Sequence, residues 1–567
     1  MDNLDIIEYK SNRIFRMHFN IKKNKEFIWG LLILWLVIVI LLINSLILTK
    51  GHLIYSLDDA YIHMAIAKNF SQYGVWGITR FEFSSSSSSL LYSLLLSLIF
   101  LIFGPNEVAP FVINLVFANL VLYIVYYILK IKNNLPPYAV LVALISTIFF
   151  LPLPLLIFMG MEHTMQVFIN ITFVYIASIV ISDKNLIKRK NFLSQDKRLI
   201  FFAPLVTMIR FEGMFLIIAV SFLLFFRKKI IYSIIVGISG FLPIIIYGII
   251  SISFGWFFFP NSIVLKSQFP DFFSTFLYFE YLSYNPHILI LLLGAFLILY
   301  IQFFKKKEIW NNLAVISIIF IIISLFQFFF GVISFFSRNF SRYDSHLVAI
   351  GLVMIFLFIK NELPRNLSIE YIRHYLSEIK NDYETYTLKF FSVILLALLF
   401  FVPFIYRAQK LIEYIPTSTK NIYEQQYQMG LFLKKYYNGK CVAANDIGAI
   451  NYIADIECLD LRGLGSRDTA NYLVNDDLDE DNIYNLARKR DCKIAIIYED
   501  AKRWFDIPTE WVKVGEWTIE DNVICYFDTV SFWAVDPDEV DHLMDHLRDF
   551  SKYLPNSVSE SGNYTES

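Results

Sequence analysis

Two adjacent carboxylates, Asp58 and Asp59, follow directly on the first long apolar stretch of this 567-residue chain. They open the segment Leu57–Ser93, which reads LDDAYIHMAIAKNFSQYGVWGITRFEFSSSSSSLLYS. A positioned carboxylate can take a proton from an attacking hydroxyl. Two side by side disfavour each other's ionisation, which can raise one pKa toward working pH. Further polar residues interrupt or flank apolar runs: Glu162, His163, Arg210, Glu212, Asn261, Lys266, Arg338, Arg342, Tyr343 and Asp344. An ionisable group at bilayer depth costs ~2.5–3.5 kcal/mol on insertion scales, so each is a functional candidate by default. Arginine suits bidentate recognition of phosphate, and lysine serves as a point charge. The pattern therefore offers a carboxylate that can act as base and a set of costly charges as candidates beside it.

Each residue also has a plainer reading. One aspartate can simply cap the helix that follows, where the dipole and free N–H groups favour an anion. Asp59 is the better placed to cap, which favours Asp58 as proton acceptor. Arg210 can pair with Glu212, and Lys266 can snorkel to an interface. His163 beside Glu162 makes a poor metal site, because adjacent ligands seldom converge; an ordinary polar histidine is the simpler account.

The elements that hold these residues follow from composition. The chain is 56% hydrophobic and 17% charged, with mean hydropathy +0.53. That is more apolar than a soluble domain, and less charged. Apolar runs fill residues 27–406, and charge gathers after them. The reading is a polytopic α-helical membrane protein with a C-terminal extracytoplasmic α/β domain. Spans need about 20 apolar residues, and the candidates are 27–49, 109–129, 138–152, 163–182, 230–253, 286–304, 310–336, 347–360 and 388–406. Residues 90–103 are short for a span, and 199–226 carry Arg210 and Glu212 between two half-length runs. The expected total is about 10 to 12 membrane helices.

Basic residues place the N-terminus (1–26), Lys130–Lys132, the Lys184–Arg198 loop, Arg227–Lys229, Lys305–Lys307 and 360–389 on the cytoplasmic side. This holds if 90–103 is short or re-entrant and 199–226 forms two short helices with Arg210–Gly213 at the apex. The first apolar run lacks a cleavage site and reads as a retained anchor in a cell (inner) membrane. The first outer loop is then 51–89. Within it, 58–73 has an amphipathic period (Ile62, Ile66, Phe70) and is expected to lie in the interface plane. The Ser84–Ser89 run reads as a linker, or alternatively as hydroxyls lining a groove.

Residues 407–535 form the outer domain, with helices at Leu431–Tyr437 and Ile483–Arg490. Strands are expected at Cys441–Ala444, Lys493–Tyr498 and Val523–Phe527. The tail, 536–567, is polar and expected to be partly disordered. The four cysteines, Cys441, Cys458, Cys492 and Cys525, read as buried thiols, with a disulfide allowed in an oxidising compartment. They match no zinc pattern. A net charge of −1 gives no sign of a nucleic-acid partner.

Several motifs, in order, resemble the GT-C membrane glycosyltransferases, and most closely the cell-wall arabinofuranosyltransferases and related polyprenyl-phosphate-dependent mannosyltransferases. They are Leu57-Asp58-Asp59-Ala60-Tyr61-Ile62, Lys68-Asn69-Phe70, Gly74 and the serine run into Leu91-Tyr92-Ser93-Leu94. Gly160-Met161-Glu162-His163-Thr164, Thr207-Met208-Ile209-Arg210-Phe211-Glu212-Gly213, Phe259-Pro260-Asn261-Ser262 with Lys266, and Arg342-Tyr343 continue the series. Asn445-Asp446-Ile447-Gly448-Ala449-Ile450, Leu459-Asp460-Leu461 and Gly463-Leu464 end it. The resemblance is spread thinly over most of the chain. It departs at Phe211, Leu90 and Tyr92, where the family has proline, proline and tryptophan.

The resemblance implies a polyprenyl-phosphate sugar donor and transfer on the outer face with inversion. It implies a first-loop aspartate as base and a cell-envelope glycan, lipid or protein as acceptor. Asp58 and Asp59 are then the catalytic candidates. Glu162, His163, Arg210, Glu212, Asn261, Lys266, Arg342 and Tyr343 are the substrate-binding ones, with Glu162 orienting the acceptor or the base. No cofactor is required; a divalent metal is allowed by the outer acids. The rival readings are a lipid-linked-sugar flippase or transporter, which would show internal repeats and midplane charges, and a non-catalytic envelope assembly protein.

Overall fold

A computed structural model describes residues 24–183, 194–265, 285–329, 342–360, 363–364, 383–500 and 504–565. Lys266 and Arg338 lie outside the described residues.

The apolar runs fold as helices of two lengths. Five are long and apolar enough to cross a membrane. They are α1 (Lys25–Leu48), α4 (Val108–Tyr126, continued to Lys132 by a π turn), α7 (His163–Ser182), α10 (Ile230–Ser253) and α12 (Pro286–Tyr300, continued to Lys305). Shorter apolar helices are α3 (Leu90–Phe103), α5 (Pro137–Phe150), α9 (Gly213–Phe226), α13 (Asn312–Phe329) and α14 (Ser345–Ile359). A 14-residue helix such as α3 spans only ~21 Å, short of the ~30 Å hydrocarbon core. Its side chains Leu98, Leu101, Ile102 and Phe103 are exposed, as lipid-facing residues would be.

The segment around Arg210 behaves as its sequence suggests. Helix α8 (Ser194–Ile209) ends there, and α9 begins at Gly213. The apex meets Glu162 at the start of α7, while Arg227 and Lys229, past the end of α9, donate to Ile181 and Val180 carbonyls at the end of α7. The two short helices therefore run in and return.

One expectation for residues 51–89 is corrected. Helix α2 (Asp59–Tyr73) forms as expected, with nine of its residues buried. It packs on α3 on one side and on the C-terminal domain on another, because its polar flank has partners there. The serine run is not a loose linker. Ser84, Ser85, Ser86, Ser87 and Ser89 are buried, and each hydroxyl is spoken for. Ser85 Oγ meets Tyr247 Oη at 2.9 Å, Ser87 Oγ meets Ser93 Oγ at 3.0 Å, and Ser89 Oγ caps α3 by accepting from the Tyr92 amide. A buried hydroxyl without a partner costs free energy, so packing selects a conformation in which all are bonded.

A long helix, α15 (Tyr383–Ile422), leads to the C-terminal domain through α16 (Gln428–Tyr436). That domain is built on a six-stranded sheet of order β2-β1-β3-β5-β4-β6. Strands β1 (Cys441–Ala444), β2 (Glu457–Asp460) and β3 (Cys492–Tyr498) are parallel, with β1 central to the three. Strands β4 (Val512–Ile519), β5 (Thr529–Ala534) and β6 (Val558–Ser561) extend it antiparallel. Helices α17 (Ala449–Ile453), α18 (Arg467–Val474) and α19 (Glu480–Lys489) fall between the parallel strands.

Three details differ from expectation. Val523–Phe527 is a turn, not a strand; Asn522 pins it by donating to the Cys525 carbonyl and accepting from the Ile524 amide. The acidic tail is ordered through 565: α20 (Val540–Ser551) buries Leu543, Leu547 and Phe550, and β6 pairs with β4. Averaged polarity hid that one-sided apolar period. Among the cysteines, Cys441 and Cys492 are neighbours across β1 and β3 and form a disulfide, while Cys458 and Cys525 are buried and free.

Candidate active site at the membrane–domain junction

The end of the helical body that holds Asp59 also holds a connected set of buried charges. Asp59, in the first turn of α2, is one-third exposed and pairs with Arg342 at 2.7 Å. Arg342 is buried just ahead of α14. The same Nη2 also reaches Tyr343 Oη at 3.1 Å, and Nη1 reaches Met161 Sδ at 3.3 Å. The Tyr343 ring lies against two guanidinium groups, Arg342 at 5.0 Å and Arg210 at 5.1 Å, within cation–π range.

Arg210 is saturated by carboxylates. It donates to Glu162 Oε1 at 2.5 Å and makes a fork on Glu212 at 3.1 and 2.6 Å. Of the two sequence readings of Arg210, the ion pair is the one seen. Glu162 is fully buried and takes further contacts from Ser88 Oγ at 3.3 Å and His63 Nε2 at 3.3 Å. A buried carboxylate is tolerable only with such partners. His63 is closed on its other side by Ser93 Oγ at 2.9 Å. Thus α2, α3, α7, the α8–α9 apex and the start of α14 all converge here. Glycine at 160 allows it: Gly160 has φ +66 and sits against the Tyr55 ring, a conformation and closeness that a side chain would disrupt.

His163 opens α7 fully buried, with Nδ1 3.3 Å from Gln166 Oε1 and its ring edge-on to Tyr343. Asp344 belongs to a neighbouring buried pair set, held by Arg407 Nη2 at 2.8 Å and His287 Nε2 at 2.7 Å.

Asp58 does something different. Its two carboxylate oxygens accept the Gly448 and Ala449 amides, each at 2.7 Å, at the start of α17. Burial, and then the charge of Asp446, push its pKa up to about 8, against the pull of the two amides. Lys68, further along α2, donates to the Asn451 and Tyr452 carbonyls at the other end of α17. A carboxyl and an amine at the two ends of one helix thus meet the free N–H and C=O groups at the two ends of another. Burial pushes Lys68 down to about 8. Asp58 holds the N-cap position of α2 without a side-chain bond, so it does not cap that helix as the sequence reading allowed.

Asn261 is also a tie between the two bodies. Its Nδ2 donates to the Gly463 carbonyl at 2.6 Å, and its amide donates to the Ser85 carbonyl. Arg80–Asp455 and Glu82–Arg490 add ion pairs at 2.9 Å, each worth little alone.

Sequence reasoning passed over His63, His287 and Arg407. For His63 the signal was present: four residues after Asp59 on one helix, it must share that helix face. His287 and Arg407 come from distant helices and carry no such signal. Among the described residues, no three His, Cys, Asp or Glu side chains cluster closely enough to hold a metal ion.

Comparisons with known proteins give three findings. The family model of a domain of unknown function (DUF8728) matches residues 420–533. No curated protein matches. Among solved structures, the chain is similar to the Archaeoglobus fulgidus oligosaccharyltransferase complex with Zn and sulfate, at 10% identity over 87% of this chain and 73% of that one, with a TM-score of 0.45. The apo form of that oligosaccharyltransferase gives 10%, 87%, 74% and 0.46. The archaeal oligosaccharyltransferase AglB from Archaeoglobus fulgidus, in complex with an inhibitory peptide and a dolichol-phosphate, gives 11%, 83%, 70% and 0.43.

Proposed function

We propose that this chain is a GT-C-type membrane glycosyltransferase that moves a sugar from a polyprenyl-phosphate donor to a cell-envelope acceptor on the outer face, inverting the anomeric carbon. The observation that carries it is the Asp59–Arg342 pair: a partly exposed carboxylate 2.7 Å from a buried guanidinium, at the mouth of a charged cluster inside a membrane protein. The ordered motif resemblance supports the same reading.

Asp59, not Asp58, is the base in this proposal. Asp58 spends both oxygens on backbone amides, each at 2.7 Å. Asp59 keeps access to solvent. The acceptor hydroxyl attacks the anomeric carbon as its proton passes to Asp59. The new C–O bond forms as the anomeric C–O(phosphate) bond breaks, and its electron pair leaves with the lipid phosphate. The phosphate gains negative charge in that step, so it needs a cation more than an acid. Arg342 supplies it; buried in low dielectric, its donors act on developing charge more strongly than they would in water. Arg210 does not contact the phosphate here. It fixes Glu162 and Glu212 and, through Tyr343, backs Arg342. Lys266 keeps its proposed role as a further point charge. Asp58 is a positioning residue, holding the start of α2 against the C-terminal domain.

The test supplies membranes carrying the protein with radiolabelled polyprenyl-phosphate sugars. Transfer should be present in the wild type and lost in Asp59→Asn and Arg342→Gln. No transfer from any donor would leave a transporter or scaffold as the better reading.

A further inference from the structure

Strand β1 is the topological switch point of the parallel part of the sheet: β2 lies on one side of it and β3 on the other. In open α/β sheets, ligands bind in the crevice outside the carboxyl ends of the strands at such a point. Here the loops at those strand ends meet the helical body: Gly448 and Ala449 donate to Asp58, and the Gly463 carbonyl accepts from Asn261. The loop after β1 carries Asp446, and the loop after β2 carries Arg462.

Both loops are held rigidly. Asp460 accepts the Arg462 amide at 2.8 Å and the Gly465 amide at 2.6 Å, and the Leu461 amide bonds the Ala444 carbonyl. Asp446 is half-buried and accepts from Tyr498 Oη and from Gln426 Nε2. The Arg462 guanidinium stacks on the Trp504 ring at 4.3 Å. It has no side-chain hydrogen bond or ion pair to any described residue, although Asp460 and Asp446 lie within range of its charge. Trp504 in turn packs on Tyr526 at 4.5 Å, and Tyr526 is 51% exposed. Asp446 also feels the charge of Asp59. Gly448, two residues after Asp446, bonds Asp58, the neighbour of the proposed base.

We infer that the crevice formed by Arg462, Trp504, Tyr526 and Asp446 is a binding site for a glycan, and that it holds the acceptor chain next to Asp59. This rests on the glycosyltransferase reading for the word acceptor, but not for the word glycan. A sugar ring has a C–H face that stacks on an aromatic ring and an edge of hydroxyls. Those hydroxyls can accept from a guanidinium fork with unused donors and donate to a carboxylate. An extended peptide is the poorer fit. It would add to a sheet edge, where backbone N–H and C=O groups are unpaired, whereas this crevice lies at strand ends.

The experiment uses the full chain in nanodiscs, titrated with the deproteinised envelope-glycan fraction of its own cells and, separately, with the protein fraction, without donor. Saturable glycan binding is expected, weakened about tenfold or more in Trp504→Ala and Arg462→Ala, as for interface Trp and Arg residues, and largely restored in Trp504→Phe. Wild type that binds no glycan, variants that bind it as wild type does, or binding of the protein fraction alone at this crevice would overturn the inference. Labelled donor is added afterwards. Glycan binding without any transfer would sink the glycosyltransferase reading while leaving the crevice a glycan site.

Discussion

Asp58 and Gly448, 390 residues apart in sequence, meet at 2.7 Å, carboxylate oxygen to backbone amide. The contact fastens the start of α2 to the C-terminal domain and fixes where the next residue, Asp59, stands. A Cβ at Gly448 would lie 2.6 Å from Asp58 Oδ2, so the glycine is what lets the carboxylate in.

Asp58→Asn should weaken this tie. An amide side chain can accept from only one of the two backbone N–H groups, and a stranded buried donor costs about 1–3 kcal/mol. Hydrogen exchange at Gly448 and Ala449 should speed up, with Gly448→Ala doing the same by steric means. Unchanged protection in both would show that the tie carries no stability.

The same carboxyl predicts a pH dependence. Its folded pKa, about 8, lies above the ordinary value of 3.8. The folded protein therefore keeps a proton that the unfolded chain has already released, and this contribution is lost as pH rises toward and through 8. The melting temperature in nanodiscs should fall between pH 5.5 and 8.5, with a shallower fall in Asp58→Asn. Equal slopes would assign the effect to other groups.

Asp59→Asn separates chemistry from structure. It keeps the volume and leaves the Asp58 amide bonds in place. Loss of a general base typically costs 10²–10⁴-fold in rate. Transfer should drop by about that factor while amide protection at Gly448 stays as in wild type. A variant that transfers at full rate would remove the catalytic assignment.

Glu162→Ala should be severe for a different reason. It leaves one Arg210 donor and His63 Nε2 without their acceptor, both buried, while Glu212 still holds Arg210; each stranded buried donor costs about 1–3 kcal/mol. Thermal unfolding in nanodiscs reads this directly. Glu162→Gln, which keeps an acceptor for Arg210, should recover part of the loss.

Much of the architecture was legible because it is local. A bilayer demands runs of apolar residues of set length, and the break at Arg210–Glu212 announces itself by two charges between half-length runs. Helix α2, strand β1 and strand β3 follow from period and composition at short range. The serine run and the tail were misread for the same reason: composition averages over a segment, while burial depends on what another part of the chain places against it.

By itself, the sequence determined that charges too costly to leave unpartnered in a membrane protein exist at Asp58, Asp59, Glu162, Arg210, Glu212 and Arg342. It could not determine who partners whom, because pairing is a matter of distance between helices far apart in the chain. Only the tertiary structure decided that Asp58 is a fastening, that Arg210 is consumed by Glu162 and Glu212, and that Asp59 faces Arg342. The physical reason is that a carboxylate has few lone pairs and a guanidinium few donors. Once neighbours in space have taken them, nothing in the residue's type says so.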